Sequence, residues 1–306
     1  MPALAVVKAA NAKFAPAYLP VALFVGGTSG IGQSMAEAFA RYTKGNAHII
    51  ICGRNRTAGE SIIAKFPKPT VSSPSGAPLH EFVQCDATLM KNVGVTTSDL
   101  LARLPKLNFL VLSQGALNVQ GRSETEEGID KKLALNHYSR FKFINDLLPL
   151  LQKAADAGED AKAMSVLGAG HAGKIDVNDL GLKKGYGLTA AALGAATYND
   201  CMVEEFGARN PSIAFTHIYP GVVRTPIFGR MHWTMALLSP ILMGVLYPFT
   251  VSSADCAEYM LYALLNGDKG AFRKDNHAED LGEKGYYVTD EARKAVWEHT
   301  LALTKA

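Results

Sequence analysis

This chain has no closely spaced cysteine pair, no block of basic residues and no long uninterrupted apolar run over residues 1–20. Its four cysteines, Cys52, Cys85, Cys201 and Cys256, lie far apart. None forms a C-x-x-C pair, which removes the common zinc and thiol-redox spacings. Two of them end strand-like apolar runs, so buried free thiols are expected. The net charge is only +3 and the basic residues are dispersed. That pattern describes a solvated surface and excludes a nucleic-acid partner from the expectations. Near the N-terminus, Lys8 and Lys13 interrupt what would otherwise be an apolar segment, so a secretory signal is not expected and a reduced, cytoplasmic setting is. No internal repeat is visible. With 306 residues, 48% of them apolar, the chain is long enough to bury a large core.

What is present begins with an uncharged run at residues 21–25, followed at once by Gly26-Gly27-Thr28-Ser29-Gly30-Ile31-Gly32 and a helix-period segment from 33 to 42. Strand, glycine turn and helix together place backbone N–H groups and a helix N-terminus against a phosphate. Further strands are expected at 47–52, 81–85, 107–112, 164–167 and 213–218. Helices are expected at 4–14, 57–66, 93–104, 129–153, 188–209, 254–265 and 291–303, with a proline-rich surface loop at 67–78. Apolar strands alternating with helices predict an α/β fold: a Rossmann-type, doubly wound parallel sheet with helices on both faces. One domain is expected over 1–306, with a helical extension at 1–19 and a lid at 226–253. In such sheets the ligand lies at the carboxyl ends of the strands, so the residues there are the candidates.

The turn resembles the Thr-Gly-x-x-x-Gly-Ile-Gly signature of short-chain dehydrogenases/reductases, with Val25 in place of the threonine. The resemblance extends over roughly residues 21–230. It implies a nicotinamide nucleotide held by Gly26, Thr28, Ser29, Gly30, Ile31 and Gly32. The second strand ends in Gly53-Arg54-Asn55, with no acid to grip an unphosphorylated ribose; Arg54 suits a 2′-phosphate and therefore NADP(H). A solvated arginine is the plainer alternative. Asp86 and Ala87 resemble the family's adenine-contacting segment, although an aspartate that only caps the next turn is the competing reading. Gln114-Gly115 stands where the family has Ala-Gly. Pro220-Gly221-Val222-Val223-Arg224-Thr225 resembles the Pro-Gly-x-Val-x-Thr turn, which implies that Val223 holds the carboxamide and Thr225 faces the phosphates.

In the family an asparagine, a serine, a tyrosine and a lysine handle protons. Asn136 and Tyr186 match the first and third. The lysine position is Ala190 and the serine position is Gly168; Ser165 comes about three residues too early, about 10 Å along a strand. Without a neighbouring cation the phenol keeps its proton, which suits a donor in reduction more than a base in alcohol oxidation. His171, Lys174, Lys183 and Lys184 are candidate replacements, or plain loop charges.

From 231 to 254 there is no Asp, Glu, Lys or Arg. The stretch is broken by Pro240, Gly244 and Pro248 and occupies the place of the family's substrate-covering lid, which implies a lipophilic substrate. Monotopic membrane contact and a true span are the alternatives. The C-terminal part resembles retinol-dehydrogenase-like members, including those common in fungi, and so points towards secondary metabolism. The expected function is an NADP(H)-dependent oxidoreductase that reduces a hydrophobic carbonyl, imine or enone. A cyclase or isomerase, or a cofactor-binding protein without catalysis, is the alternative on the same scaffold. The Ala/Gly-rich helix from Leu188 would suit a helix-packed homodimer.

Overall fold

Short uncharged runs can bury both faces only inside a sheet that is covered on both sides. That is how this chain folds in the computed structural model, which describes residues 1–71, 79–115, 121–224 and 250–305. The strands are β1 (Val21–Val25), β2 (His48–Gly53), β3 (His80–Gln84), β4 (Phe109–Leu112), β5 (Lys162–Val166) and β6 (Ala214–Ile218). Strands β7 (Val223–Arg224) and β8 (Val251–Ser252) pair separately, and β9 (Gly270–Lys274) returns to the main sheet. The order is β3-β2-β1-β4-β5-β6-β9, parallel throughout. This is the doubly wound α/β architecture expected from the sequence.

The helices are α1 (Leu4–Asn11), α2 (Gly30–Tyr42), α3 (Arg56–Ile63), α4 (Met90–Arg103), α5 (Lys131–Leu133), α6 (Ser139–Asp156), α7 (Leu188–Arg209), α8 (Ser253–Leu265) and α9 (Asp290–Thr304). Side chains alternate across the strands and so feed two cores. Leu23, Ile50 and Leu110 face α4, α6 and α7 through Leu100, Leu147 and Phe206. Ala22, Phe24 and Val111 face α2 and α8 through Met35, Phe39 and Met260. The Phe39 ring lies 5.8 Å from Phe24 and 5.5 Å from Phe109. A ring buried this completely contributes about 1.5–3 kcal/mol.

Two departures from the sequence expectations matter for the site. Strand β9 was not foreseen; its five residues, Gly-Ala-Phe-Arg-Lys, carry no apolar run. The segment expected as one helix over 129–153 is broken by a π-helical turn, Ala134–Tyr138, between α5 and α6. The C-terminal helix α9 lies against α6, α7 and this turn: the Trp297 ring is 4.9 Å from both Phe141 and Phe206, and Thr300 Oγ1 is 2.8 Å from His137 Nε2. The face of α7 nearest α9 is therefore covered by the chain's own helix. Among the described residues no helix is long and apolar enough to cross a membrane. The expected lid falls almost entirely on 225–249, outside the described residues, as do 72–78 of the proline-rich loop.

Candidate active site

Where the strand order reverses, between β1 and β4, the carboxyl ends leave an open cleft walled by residues of the glycine turn and of the three neighbouring strand ends. Glycine is required at its hinge. Gly26 has φ +82°, and a Cβ there would lie 2.6 Å from the backbone nitrogen of Gln114. A Cβ on Gly32 would lie 2.2 Å from Ser113 Oγ and 2.7 Å from the Gly26 carbonyl oxygen. These bare positions let α2 start directly against β4. Thr28, Ser29, Gly30 and Ile31 line the mouth. Ser29, at the N-cap, makes no side-chain cap bond, so the first N–H groups of α2 have no side-chain acceptor there and are free to meet an anion.

The second strand end contributes Gly53 and Arg54, and the third Asp86 and Ala87. Asp86 also closes its own turn, accepting from Thr88 N at 3.1 Å and Thr88 Oγ1 at 2.8 Å. Asn55 does not wall the cleft; it caps α3, its Oδ1 accepting from Ala58 N at 3.0 Å. From β4 come Ser113, Gln114 and Gly115. Gln114 Nε2 donates to Ser139 Oγ at 3.2 Å, while its buried Oε1 has no hydrogen-bond partner among the described residues. A cradle that added Cβ atoms would fill, an arginine where an acid would select an unphosphorylated ribose, and an unused buried acceptor together fit a dinucleotide.

At the other end, Gly221 has φ +80° beside Asn276, the Pro220 carbonyl accepts from Cys256 Sγ at 3.4 Å, and Val223 pairs with Val251 in the small sheet. These three do not wall the described cleft, and Thr225 lies outside the described residues.

Asn136 sits in the middle of the π-helical turn, a local geometry that exposes backbone groups and is common at functional sites. Its carbonyl accepts from Asn199 Nδ2 at 2.8 Å, and its Oδ1 lies 3.5 Å from where a Cβ on Gly115 would be. The side chain thus faces the end of β4. Behind it runs a buried relay: Arg140 Nη1 donates to Ser165 Oγ at 2.6 Å, and Ser165 donates to Asn199 Oδ1 at 2.6 Å. Ser165 is consumed by this packing and does not replace the family serine. Next to Asn136, burial pushes the His137 imidazole down to about 3, with help from the nearby His299 and Arg140, so the ring stays neutral.

Tyr186 precedes α7 and is partly buried. The expectation of a phenol without a cation needs correction: Lys132 Nζ donates to Tyr186 Oη at 2.9 Å. Lys132 belongs to α5, one helical turn before Asn136, and not to the loop ahead of Tyr186 where the sequence offers its candidate replacements. Among the described residues no hydrogen bond joins those four to Tyr186: the backbone N–H groups of Lys183 and Lys184 bond Asp179 at 2.8 and 3.0 Å, and the His171 ring packs 4.2 Å from Tyr219. Tyr186 does not wall the cleft, and among the described residues no hydrogen bond joins it to Asn136.

At Gly168 the structure offers only backbone. Its N–H donates to His217 Nε2 at 3.2 Å. His217 Nδ1 lies 2.6 Å from Asp200 Oδ1, whose other oxygen lies 3.1 Å from Arg273 Nε on β9. Because Nε2 accepts, the ring proton sits on Nδ1. A serine Cβ at 168 would meet only Ala196 Cβ at 3.5 Å and His171 Cβ at 4.0 Å, so packing does not explain the missing hydroxyl.

Comparison with known proteins agrees with this geometry. The family model described as short chain dehydrogenase matches residues 20–234. Oxidoreductase AN1596 of Emericella nidulans is 34% identical over 271 residues, covering 86% of this chain and 77% of its own length. Human polyprenol dehydrogenase is 27% identical over 234 residues, covering 74% of this chain and 68% of its own. Among solved structures, NADPH-bound carbonyl reductase from chicken fatty liver superposes with a TM-score of 0.60 at 17% identity, over 86% of this chain and 98% of that one.

Proposed function

Since the chain belongs to the short-chain dehydrogenase family, we propose that it is an NADP(H)-dependent oxidoreductase that reduces a hydrophobic small molecule at a carbonyl, imine or conjugated C=C bond. The observation that carries the reading is the cleft at the strand switch point, with Arg54 directly after β2 and no acid adjoining it in the sequence. A bound nicotinamide supplies the hydride; the chain supplies binding, orientation and a proton. Tyr186 is the proposed proton donor. The ammonium of Lys132, held on its hydroxyl oxygen, stabilises the phenolate left after donation. Asn136, fixed by Asn199, orders the floor beside Gly115. The uncharged stretch at 231–254 suits a lipophilic ligand, and the human relative is named for polyprenol, itself a lipophilic alcohol.

Two experiments test this. Incubation with NADPH and a panel of lipophilic ketones, enones and imines is expected to consume the cofactor with at least one class. Product formed without cofactor consumption would instead select a cyclase or isomerase, the reading favoured by Gly168 and Ala190 at the family's serine and lysine positions. Arg54→Ala is expected to weaken NADPH by about ten-fold or more, the worth of a lost charge-assisted contact, and to leave NADH nearly unchanged. Equal losses for both nucleotides would refute the 2′-phosphate assignment.

A further inference from the structure

Arg140 is 1% exposed, and no carboxylate pairs with it among the described residues. Its partners are neutral acceptors: Nε bonds the Leu135 carbonyl at 3.2 Å; Nη1 bonds the carbonyls of Leu112 at 3.1 Å and Val166 at 2.9 Å, and Ser165 Oγ; Nη2 bonds the Gln114 carbonyl at 2.6 Å. The guanidinium is thus solvated by the carboxyl ends of β4 and β5 and by the π-helical turn. Burial pushes it down to about 9, which still leaves it a cation at neutral pH.

Two of its acceptor residues, Gln114 and Leu135, wall the cleft. The ends of β4 and β5 lie across the switch point from Arg54 and Asp86. If the adenosine half of a dinucleotide lies over β1 to β3, its nicotinamide half lies on the Arg140 side.

We propose that Arg140 biases this site toward the reduced nucleotide, a specificity role that rests on the NADP(H) reading above. NADP⁺ and NADPH carry the same phosphates and differ by one positive charge, on the nicotinamide ring. A fixed cation behind that half of the cleft raises the energy of the oxidised form and leaves the neutral form alone. Being buried, it is little screened by salt. At an effective dielectric constant near 20, a unit charge about 12 Å away discriminates on the order of ten-fold. A purely structural arginine would behave differently, because its loss would weaken both forms alike.

Calorimetric titration of the full chain with NADP⁺ and with NADPH tests the idea without any substrate. Wild type is expected to bind NADPH more tightly. Arg140→Met is expected to reduce that preference on the order of ten-fold, and Arg140→Lys to keep most of it. Ser165→Asp sets a carboxylate against the guanidinium in place of the hydroxyl, and is expected to reduce the preference while leaving the arginine in place. A wild-type protein that binds both forms equally, or the oxidised form better, overturns the proposal even if every variant fails to fold. So does an unchanged ratio in folded Arg140→Met or Ser165→Asp. Failure of wild type to bind either nucleotide would instead overturn the cofactor reading itself.

Discussion

Gly26→Val is expected to abolish nucleotide binding, weakening it by more than about 100-fold, and to lower stability as well. At φ +82° a branched side chain is held in a backbone region that costs an L-residue about 1–2 kcal/mol. The larger effect is steric. The new Cβ would sit 2.6, 2.8 and 2.9 Å from three backbone atoms at the end of β4, namely Gln114 N, Ser113 C and Gln114 Cα. Backbone in a paired strand end cannot rotate aside as a side chain can, so the turn must move off β4 and take the N-terminus of α2 with it. Gly121→Ala is the control, since among the described residues nothing lies within 4 Å of a Cβ there. Calorimetry and thermal denaturation of both variants decide the matter. Wild-type affinity in a folded Gly26→Val protein would remove the glycine turn from the site.

The second large effect is on stability. Asp200 is fully buried between His217 and Arg273, and Arg273 is itself 7% exposed. Asp200→Ala leaves a buried guanidinium without its counter-ion, and breaking such a pair from one side costs about 3–5 kcal/mol. Asp200→Asn keeps the shape but not the charge and is expected to fall between wild type and alanine. Urea denaturation reads both. Because His217 Nε2 receives the Gly168 N–H, the damage is expected to reach the loop after β5 as well. A loss below about 1 kcal/mol in Asp200→Ala would show that water replaces the pair.

The regular part of the fold was legible because its physics is local. Val21–Val25 and His48–Gly53 are apolar runs bounded by turn residues, and the glycine positions announce a close approach whatever lies beyond them. Arg54 could be read for the same reason: it follows directly from where a strand ends. Strand β9 could not, because its burial depends on Asp200 accepting Arg273 from another element. Arg140 escaped for a similar reason. A helical arginine reads as solvent-facing unless one knows that four carbonyls converge on it. The Lys132–Tyr186 contact spans 54 positions in sequence, so no spacing motif could reveal it. The π-helical turn is equally non-local, since Asn199 from α7 takes up the carbonyl of Asn136.

The position of α9 bears on how the protein is made. His137 and Tyr138, the two residues after Asn136, are bonded by Thr300 and His299 of that helix, which leaves the ribosome after every strand of the sheet. The nucleotide cradle, built from residues 26–115, can assemble while translation continues. The turn that carries Asn136 gains its outer support only after the strands of the sheet have been made, so that support reaches the cleft later than the cradle does.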